Sequence, residues 1–389
     1  VCTIVGTTEQ RKELIGKQGQ YDITLTSYDL LKRDLEFYKN YQYDYEIIDE
    51  AQNIKNYTTQ AAKAVKSIQA DIRFALTGTP IENSLSELWS IFDYLMPGLL
   101  GSYQKFRKKY ENPIIANTDN EISKRLQKMV KPFILRRLKR EVLKELPDKI
   151  EKVILSKMEN EQERLYNANA QKVLASLAAK SDDEFKTSRI QILAELTKLR
   201  QLCCDPSLIY DDYQGGSAKL EACMELVNSA IDANNKILIF SQFTSMLDII
   251  KGRLDELKID AYMLTGSTTK EKRRELVDRF NKDQTPVFLI SLKAGGTGLN
   301  LTAASIVIHY DPWWNLAAQN QATDRTHRIG QEQVVTVYKL LAKDTIEEKI
   351  EKLQEKKAQL SDQIISEGGI TQDIMSKSDF MDFLSVVEK

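Results

Sequence analysis

Short apolar runs alternate with amphipathic stretches twice along this chain, and a long polar interval separates the two alternations. The first runs from Thr3 to about Leu100, with strand candidates at Thr3–Val5, Ile23–Thr26, Tyr45–Ile48 and Arg73–Leu76. The second runs from about Ser217 to Leu341, with candidates at Ile237–Phe240, Tyr262–Leu264, Val287–Ile290, Ile306–His309 and Val334–Tyr338. Apolar strands spaced by helices are the pattern of a parallel sheet covered by helices, so the predicted class is α/β. Ser84 with Glu87 and Thr268 with Glu271 have capping-box spacing, and Leu276, Val277 and Phe280 then fall on one helix face. The interval from about Glu159 to Leu202 is polar and nearly lacks Gly and Pro, which predicts a helical linker and inserted bundle. Gln214-Gly215-Gly216-Ser217 reads as a hinge into the second alternation. A last helix is predicted from near Asp344, with Ile346, Ile350, Leu353 and Leu360 on one face, before a polar tail beyond Gly368-Gly369. The expected divisions are 1–150, 151–215, 216–343 and 344–389.

Composition narrows the class without naming a function. A length of 389 residues suggests two or three domains, and 42% hydrophobic with 29% charged residues is a globular profile. No apolar run approaches the roughly 18 residues of a membrane span, and no signal peptide is visible, so no membrane partner is expected. The first residue is Val1, which suggests a piece of a longer polypeptide. Cys2, Cys203, Cys204 and Cys223 form no Cys-x-x-Cys pair, and His309 and His327 are the two histidines. A zinc site is therefore not expected, and a reducing cytoplasm is. Net charge is −1, so bulk charge carries no nucleic-acid signal. Lys124 to Arg140 nevertheless holds eight basic residues and no acidic one. On charge alone a solvated helix face and a phosphate-contacting segment are equal readings.

Four stretches carry chemistry. Tyr45-Glu46-Ile47-Ile48-Asp49-Glu50-Ala51-Gln52 is a strand ending in adjacent carboxylates, where open α/β sheets place ligands. One carboxylate there can hold Mg²⁺ through water and its neighbour can orient an attacking water. Asp183-Glu184 and Asp255-Glu256 show that such pairs are also common strand or helix decoration. Leu76-Thr77-Gly78-Thr79-Pro80 reads as a strand-to-helix turn whose hydroxyls can sense a phosphate. Gln321, Arg325 and Arg328, at i, i+4 and i+7, are expected on one helix face, suited to a polyphosphate or to a surface ion pair with Asp324. Ser291 to Asn300 is Gly-rich but lacks the Gly-Lys-Ser/Thr of a Walker loop. The one Gly-Lys, Gly16-Lys17, is followed by Gln18.

In order, Asp49-Glu50-Ala51-Gln52, Thr77-Gly78-Thr79-Pro80, Phe240-Ser241-Gln242-Phe243, the Ser291–Leu301 loop and Gln321–Gln331 resemble the Swi/Snf-type helicase-like ATPases of superfamily 2. Ala294 to Leu301, Asp311-Pro312-Trp313-Trp314-Asn315 and Asp324 to Gln331 make the subgroup specific. Thr26 to Asp29, Leu199 to Cys204 and Pro132 to Arg137 support it, and the compact spacing from Ile91 to Pro132 resembles bacterial members. The resemblance implies two RecA-like lobes, the first incomplete, closing on ATP while gripping double-stranded DNA. It implies Mg²⁺ on Asp49, with Glu50 as catalytic base, and Gln52 and Thr77 to Thr79 as couplers of nucleotide state. It implies Arg325 and Arg328 as arginine fingers beside Gln321, and a close backbone approach at Gly296 and Gly298. Ser27, Lys293, Trp314, Arg136 and Arg137 would face DNA, with Trp313 in the core. A DNA-bound complex such as RNA polymerase and a nucleoid location fit that activity. The family's adenine-contacting segment and phosphate loop would lie ahead of Val1, so the chain alone is expected to be inactive. The competing class is a non-catalytic DNA- or protein-binding module that keeps the fold; an RNA motor is disfavoured by Trp313-Trp314 and the His327 to Gln331 ending.

Overall fold

The computed structural model describes residues 1–78, 85–115, 120–137, 139–158, 160–181, 184, 187–295, 298–314, 316–355 and 381. It divides into two compact units, one comprising Val1–Leu135 and one built mainly of Arg136–Ala358. The division thus precedes the boundary expected at 150.

The first unit opens with strand β1 (Cys2–Thr3), helix α1 (Thr8–Gly16), β2 (Thr24–Leu25) and α2 (Tyr28–Tyr38). Then come β3 (Gln42–Ile48), α3 (Gln60–Lys66), β4 (Gln69–Ala75) and α4 (Leu85–Leu95). Local chemistry explains the helix starts. Thr7 accepts from the Gln10 amide while the Gln10 side chain accepts from Thr7, a full capping box. Ser27 caps α2 and Thr59 caps α3 through the hydroxyl alone, accepting from the Leu30 and Ala62 amides. β1 pairs with β2 and β3 with β4, both in parallel, as two separate two-stranded sheets. Ile4, Ile15, Leu31, Ile48, Ile54, Val65 and Tyr94 close one core between them.

Register gives the β3–β4 sheet two unlike faces, since Glu46 pairs with Arg73 and Ile47 with Phe74. On the covered face the Tyr94 hydroxyl donates to the Glu46 carbonyl (3.2 Å), Arg73 Nη1 donates to the Tyr94 carbonyl (3.0 Å), and the Arg73 guanidinium lies 3.2 Å from the Glu46 carboxylate. Burial pushes the Glu46 carboxyl up to about 7 against the pull of Arg73. On the other face Tyr45, Ile47, Ile72 and Phe74 are all exposed. A second cluster joins Leu85, Trp89, Phe92, Phe106 and Tyr110 to α5 (Asn120–Val130) through Leu126 and Val130.

The second unit holds a six-stranded sheet. Its elements are β5 (Lys149–Ser156), α6 (Asn160–Ala178), α7 (Arg189–Cys204), α8 (Ala218–Asp232), β6 (Ile237–Ser241), α9 (Thr244–Glu256) and β7 (Ala261–Leu264). They continue with α10 (Lys270–Lys282), β8 (Val287–Ser291), β9 (Ile306–His309), α11 (Leu316–Thr323) and β10 (Val335–Ala342), and residues 346–355 are helical. The order is β5-β10-β9-β6-β8-β7, every pair parallel. β6 and β8 are buried at every position, as expected of central strands covered on both faces. β5 was not among the strand candidates. The helical hairpin α6–α7 packs Tyr166, Ala170, Leu196 and Leu199 with Ala342, Ile346 and Ile350. The cap expected at Thr268 falls one residue later: Thr269 accepts from the Lys272 amide, while Thr268 accepts from Thr265. Ser84 and Leu360 lie outside the described residues.

Candidate functional site

In the first unit the carboxylate pair stands at the carboxyl end of β3. Asp49 is exposed and Glu50 half-buried. Glu50 adopts φ 52°, ψ 55°, a left-handed conformation that a non-glycine residue takes at a cost of roughly 1–2 kcal/mol. Several bonds enforce it. The Glu50 amide donates to its neighbour Asp49 Oδ1 (2.8 Å) and the Ala51 amide to the Leu76 carbonyl (2.9 Å). Gln52 Nε2 donates to Glu50 Oε2 (2.6 Å), and Thr77 Oγ1 donates to Gln52 Oε1 (3.1 Å). The turns after β3 and β4 are therefore wired together as Thr77–Gln52–Glu50. Thr79 lies outside the described residues. Ser27 is exposed at the start of α2, its hydroxyl accepting from the Leu30 amide (3.3 Å).

The basic stretch is not one helix. It includes the end of α5, a short turn at Lys131–Phe133 that Ile134 closes in an extended conformation, and a helical turn at Lys139–Val142. Arg125, Lys128, Lys131, Arg136 and Arg137 are exposed. Lys124 pairs with Glu121 (3.1 Å) and Lys139 with Asp324 (2.6 Å), so part of the run serves local ion pairs.

In the second unit the loops after β6, β8 and β9 gather at the carboxyl edge of the sheet, where strand order switches about β6. Asp311 accepts from Ser241 Oγ (2.5 Å) and the Gln242 amide (3.2 Å). Arg200 of α7 reaches the same place: it donates to the Pro312 carbonyl, lies 3.6 Å from Asp311, and stands 5.7 Å from the Phe243 ring centre and 5.8 Å from that of Trp314. Trp313 packs against the sheet core and Trp314 against the helical hairpin, both half-buried. Gly298 adopts φ +46°, in the left-handed region. Lys293 lies in a short helical turn, and Gly296 lies outside the described residues.

The shared helix face expected for Gln321, Arg325 and Arg328 is corrected by the structure. α11 ends at Thr323, and successive turns follow. The Leu301 amide donates to the Arg325 carbonyl (3.0 Å), an acceptor that a continued helix would use for its own amides, and the Arg328 amide turns back to the Thr326 carbonyl (3.0 Å). Gln321 is half-buried, Arg325 is buried and Arg328 is exposed, its Nη1 donating to the Leu299 carbonyl (3.3 Å). The Gly-rich loop and the Arg-rich turns thus meet. Gln331, which sequence reasoning left as the end of a motif, fastens them: Nε2 donates to the carbonyls of Ala304 (2.8 Å), Thr302 (3.1 Å) and Thr326 (3.3 Å). His309 is buried, its Nε2 2.8 Å from Thr323 Oγ1, and burial pulls its ring down to about 3. Its ring is neutral at neutral pH. Among the described residues no group of three or more His, Cys, Asp and Glu is placed to hold a metal ion, and no helix is long and apolar enough to cross a membrane.

Comparison with known proteins supplies the context. Residues 1–208 match the model of the SNF2-related domain, and residues 218–330 that of the helicase conserved C-terminal domain. YwqA of Bacillus subtilis (strain 168), which carries the name of an ATP-dependent helicase/translocase, is 42% identical over 360 residues, 90% of this chain and 39% of that one. TATA-binding protein-associated factor 172 of Homo sapiens is 33% identical over 440 residues, 98% of this chain and 24% of that one. The chain spans about two fifths or less of the length of these relatives. Among solved structures, the Sulfolobus solfataricus SWI2/SNF2 ATPase core in complex with dsDNA is 39% identical at a TM-score of 0.49, covering 90% of this chain and 74% of that one.

Proposed function

The chain belongs to the SNF2-related family, and from that premise we propose that it is the body of an ATP-driven translocase acting on double-stranded DNA. The observation that carries this reading is the Asp49–Glu50 turn, held in a left-handed conformation at the end of a parallel strand and wired through Gln52 to Thr77.

The donor set fits the implied cofactor. Asp49 presents an exposed carboxylate at a strand end, the hard oxygen that a water-coordinated Mg²⁺ takes. Bound Mg²⁺ and ATP supply the transferable phosphoryl group and neutralise its charge. Glu50 is the base that takes a proton from the attacking water. Gln52 occupies Oε2 of its carboxylate and so orients the group. Thr77, with Thr79 beyond it, reports the state of the phosphates to the end of β4. Gln321, Arg325 and Arg328 bring polar and positive groups to the phosphates, and Gly296 and Gly298 let the backbone come close. Ser27, Lys293, Trp314, Arg136 and Arg137 follow the phosphate backbone of the duplex, which positions without reading sequence. A DNA-bound complex such as RNA polymerase is the obstacle such a motor would move, in the cytoplasm at the nucleoid.

The test is DNA-stimulated phosphate release by the full-length protein carrying Glu50→Gln. Turnover is expected to fall by roughly 10²–10⁴ while ATP and duplex binding persist. Near-normal turnover would remove Glu50 from the base role.

A further inference from the structure

The left-handed conformation of Glu50 is held from the peptide before it as well as from the bonds after it. That peptide joins Asp49 to Glu50, and it is bound at both ends. Its N–H donates to Asp49 Oδ1 (2.8 Å), and its carbonyl accepts from the Tyr28 hydroxyl (2.7 Å). A peptide plane fixed at both ends fixes ψ of Asp49 and φ of Glu50 together. Tyr28 is well placed to hold it. It sits in the first turn of α2, directly after the Ser27 cap, with Leu31 and Tyr38 of the same helix in the core. Its ring is half-buried along a cavity of about 260 Å³ lined also by Thr24, Tyr43 and Glu46. Burial, with the nearby carboxylates of Asp49, Glu46 and Glu50, pushes the Tyr28 hydroxyl up to about 12, so it remains a donor across the physiological range.

We propose that Tyr28 is a positioning residue for the carboxylate turn: its hydroxyl fixes the Asp49–Glu50 peptide and thereby keeps the Glu50 carboxylate where Gln52 meets it. The proposal rests on the reading of Asp49 and Glu50 as the catalytic pair. It assigns to α2 a direct mechanical link to the chemistry, made through one hydroxyl group.

Tyr43 provides a matched control. It lines the same cavity, is likewise half-buried, and donates its hydroxyl to Gln18 Oε1 (2.9 Å), away from the carboxylate turn. In the full-length protein, Tyr28→Phe is expected to lower kcat by on the order of ten- to a hundredfold, because a small misplacement of a reacting group is costly. KM for ATP, duplex affinity and melting temperature should stay close to wild type. Amide exchange at Glu50, Ala51 and Asn53 should speed up in Tyr28→Phe, while Tyr43→Phe leaves both kcat and that exchange unchanged. Equal losses of kcat in the two variants, tracking a lowered melting temperature, would make Tyr28 a packing residue and overturn the proposal. Unchanged kcat in Tyr28→Phe would overturn it as well. If the wild-type protein shows no DNA-stimulated turnover, the translocase reading fails instead. The exchange measurement then still decides whether Tyr28 clamps the turn: unaltered exchange at Glu50 sinks it.

Discussion

Two arginines three positions apart in the Arg-rich turns differ in a way that separates their roles. Arg325 is buried, while Arg328 is exposed and touches the protein through the Leu299 carbonyl. If both serve the phosphates, each alanine variant should cut turnover of the full-length protein, by up to roughly 10³-fold for a transition-state cation. They should diverge in stability: Arg325→Ala lowers the melting temperature, whereas Arg328→Ala leaves it near wild type. Full turnover in Arg328→Ala would confine that side chain to holding the Gly-rich loop. The residue types were legible in the sequence because Gln, Arg and Arg recur at helical spacing. Their arrangement was not. Spacing assumes a helix, and α11 stops at Thr323, where the side chains of Thr326 and Gln331 bond to backbone carbonyls. The carboxylate pair was read correctly as a strand end. The left-handed Glu50 and the Tyr28 hydroxyl that fixes it depend on contacts 21 residues apart, which no local pattern encodes.

Elements with a clean apolar period were found in place, and those shaped by position in the sheet were not. β8 lies at Val287–Ser291 against an expected Val287–Ile290, because a central strand is apolar throughout. β5 went unseen: Lys149, Glu151 and Lys152 dilute its apolar residues, which is how an edge strand of the β5-β10-β9 order discourages further pairing. Contacts between elements carry much of the second unit. Lys219, in the first turn of α8, donates to both carboxylate oxygens of Glu347 (2.8 and 2.9 Å) and to the Tyr310 carbonyl (2.9 Å), and Glu347 Oε2 accepts from the Ala342 amide (2.8 Å). One buried pair thus joins α8, the end of β9, the end of β10 and the last helix. Lys219→Met strands a buried carboxylate, and the expected cost is about 3–5 kcal/mol. Lys219→Met with Glu347→Leu should recover most of it, since an apolar pair has no charge to bury. Urea unfolding of the two variants checks this. A single variant as stable as wild type would show that the pair does not hold the four elements together.

At the scale of the whole molecule, the two-part α/β organisation was legible because apolar strands and amphipathic helices alternate twice. What alternation cannot show is whether both faces of a sheet are covered. Tyr45 and Ile47 look like buried strand residues in sequence and are 60% and 62% exposed. Nor can it show which ionisable groups the fold buries, and two of these, Glu46 in the first unit and His309 in the second, respond to pH in opposite senses. Glu46 in the first unit is raised by burial to about 7 from an ordinary 4.5. The folded unit therefore holds a proton that the unfolded chain has lost, and this contribution is full below the ordinary value and disappears as pH rises through 7. His309 in the second unit is lowered, chiefly by burial and then by Lys339, to about 3 from 6.5. There the unfolded chain takes up the proton first, so stability is full above 6.5 and lost as pH falls toward 3. Through Glu46, acidification from about pH 7 to 5 should accordingly stabilise the first unit; through His309 it should destabilise the second, against the opposite pull of the Asp311 and Glu347 carboxyls there, which burial raises. Each effect is on the order of 1–2 kcal/mol over that window, less for Glu46, which is only partly shielded from water. The lowered carboxylates Glu13, Asp29, Glu275 and Asp283 begin to titrate below their ordinary values and do not disturb this range. Pulse proteolysis in urea across that range, with fragments assigned to each unit, reads the two slopes separately. Glu46→Gln should flatten the first and His309→Asn the second. Parallel slopes in the two units, or slopes that survive these substitutions, would show that other groups set the pH response.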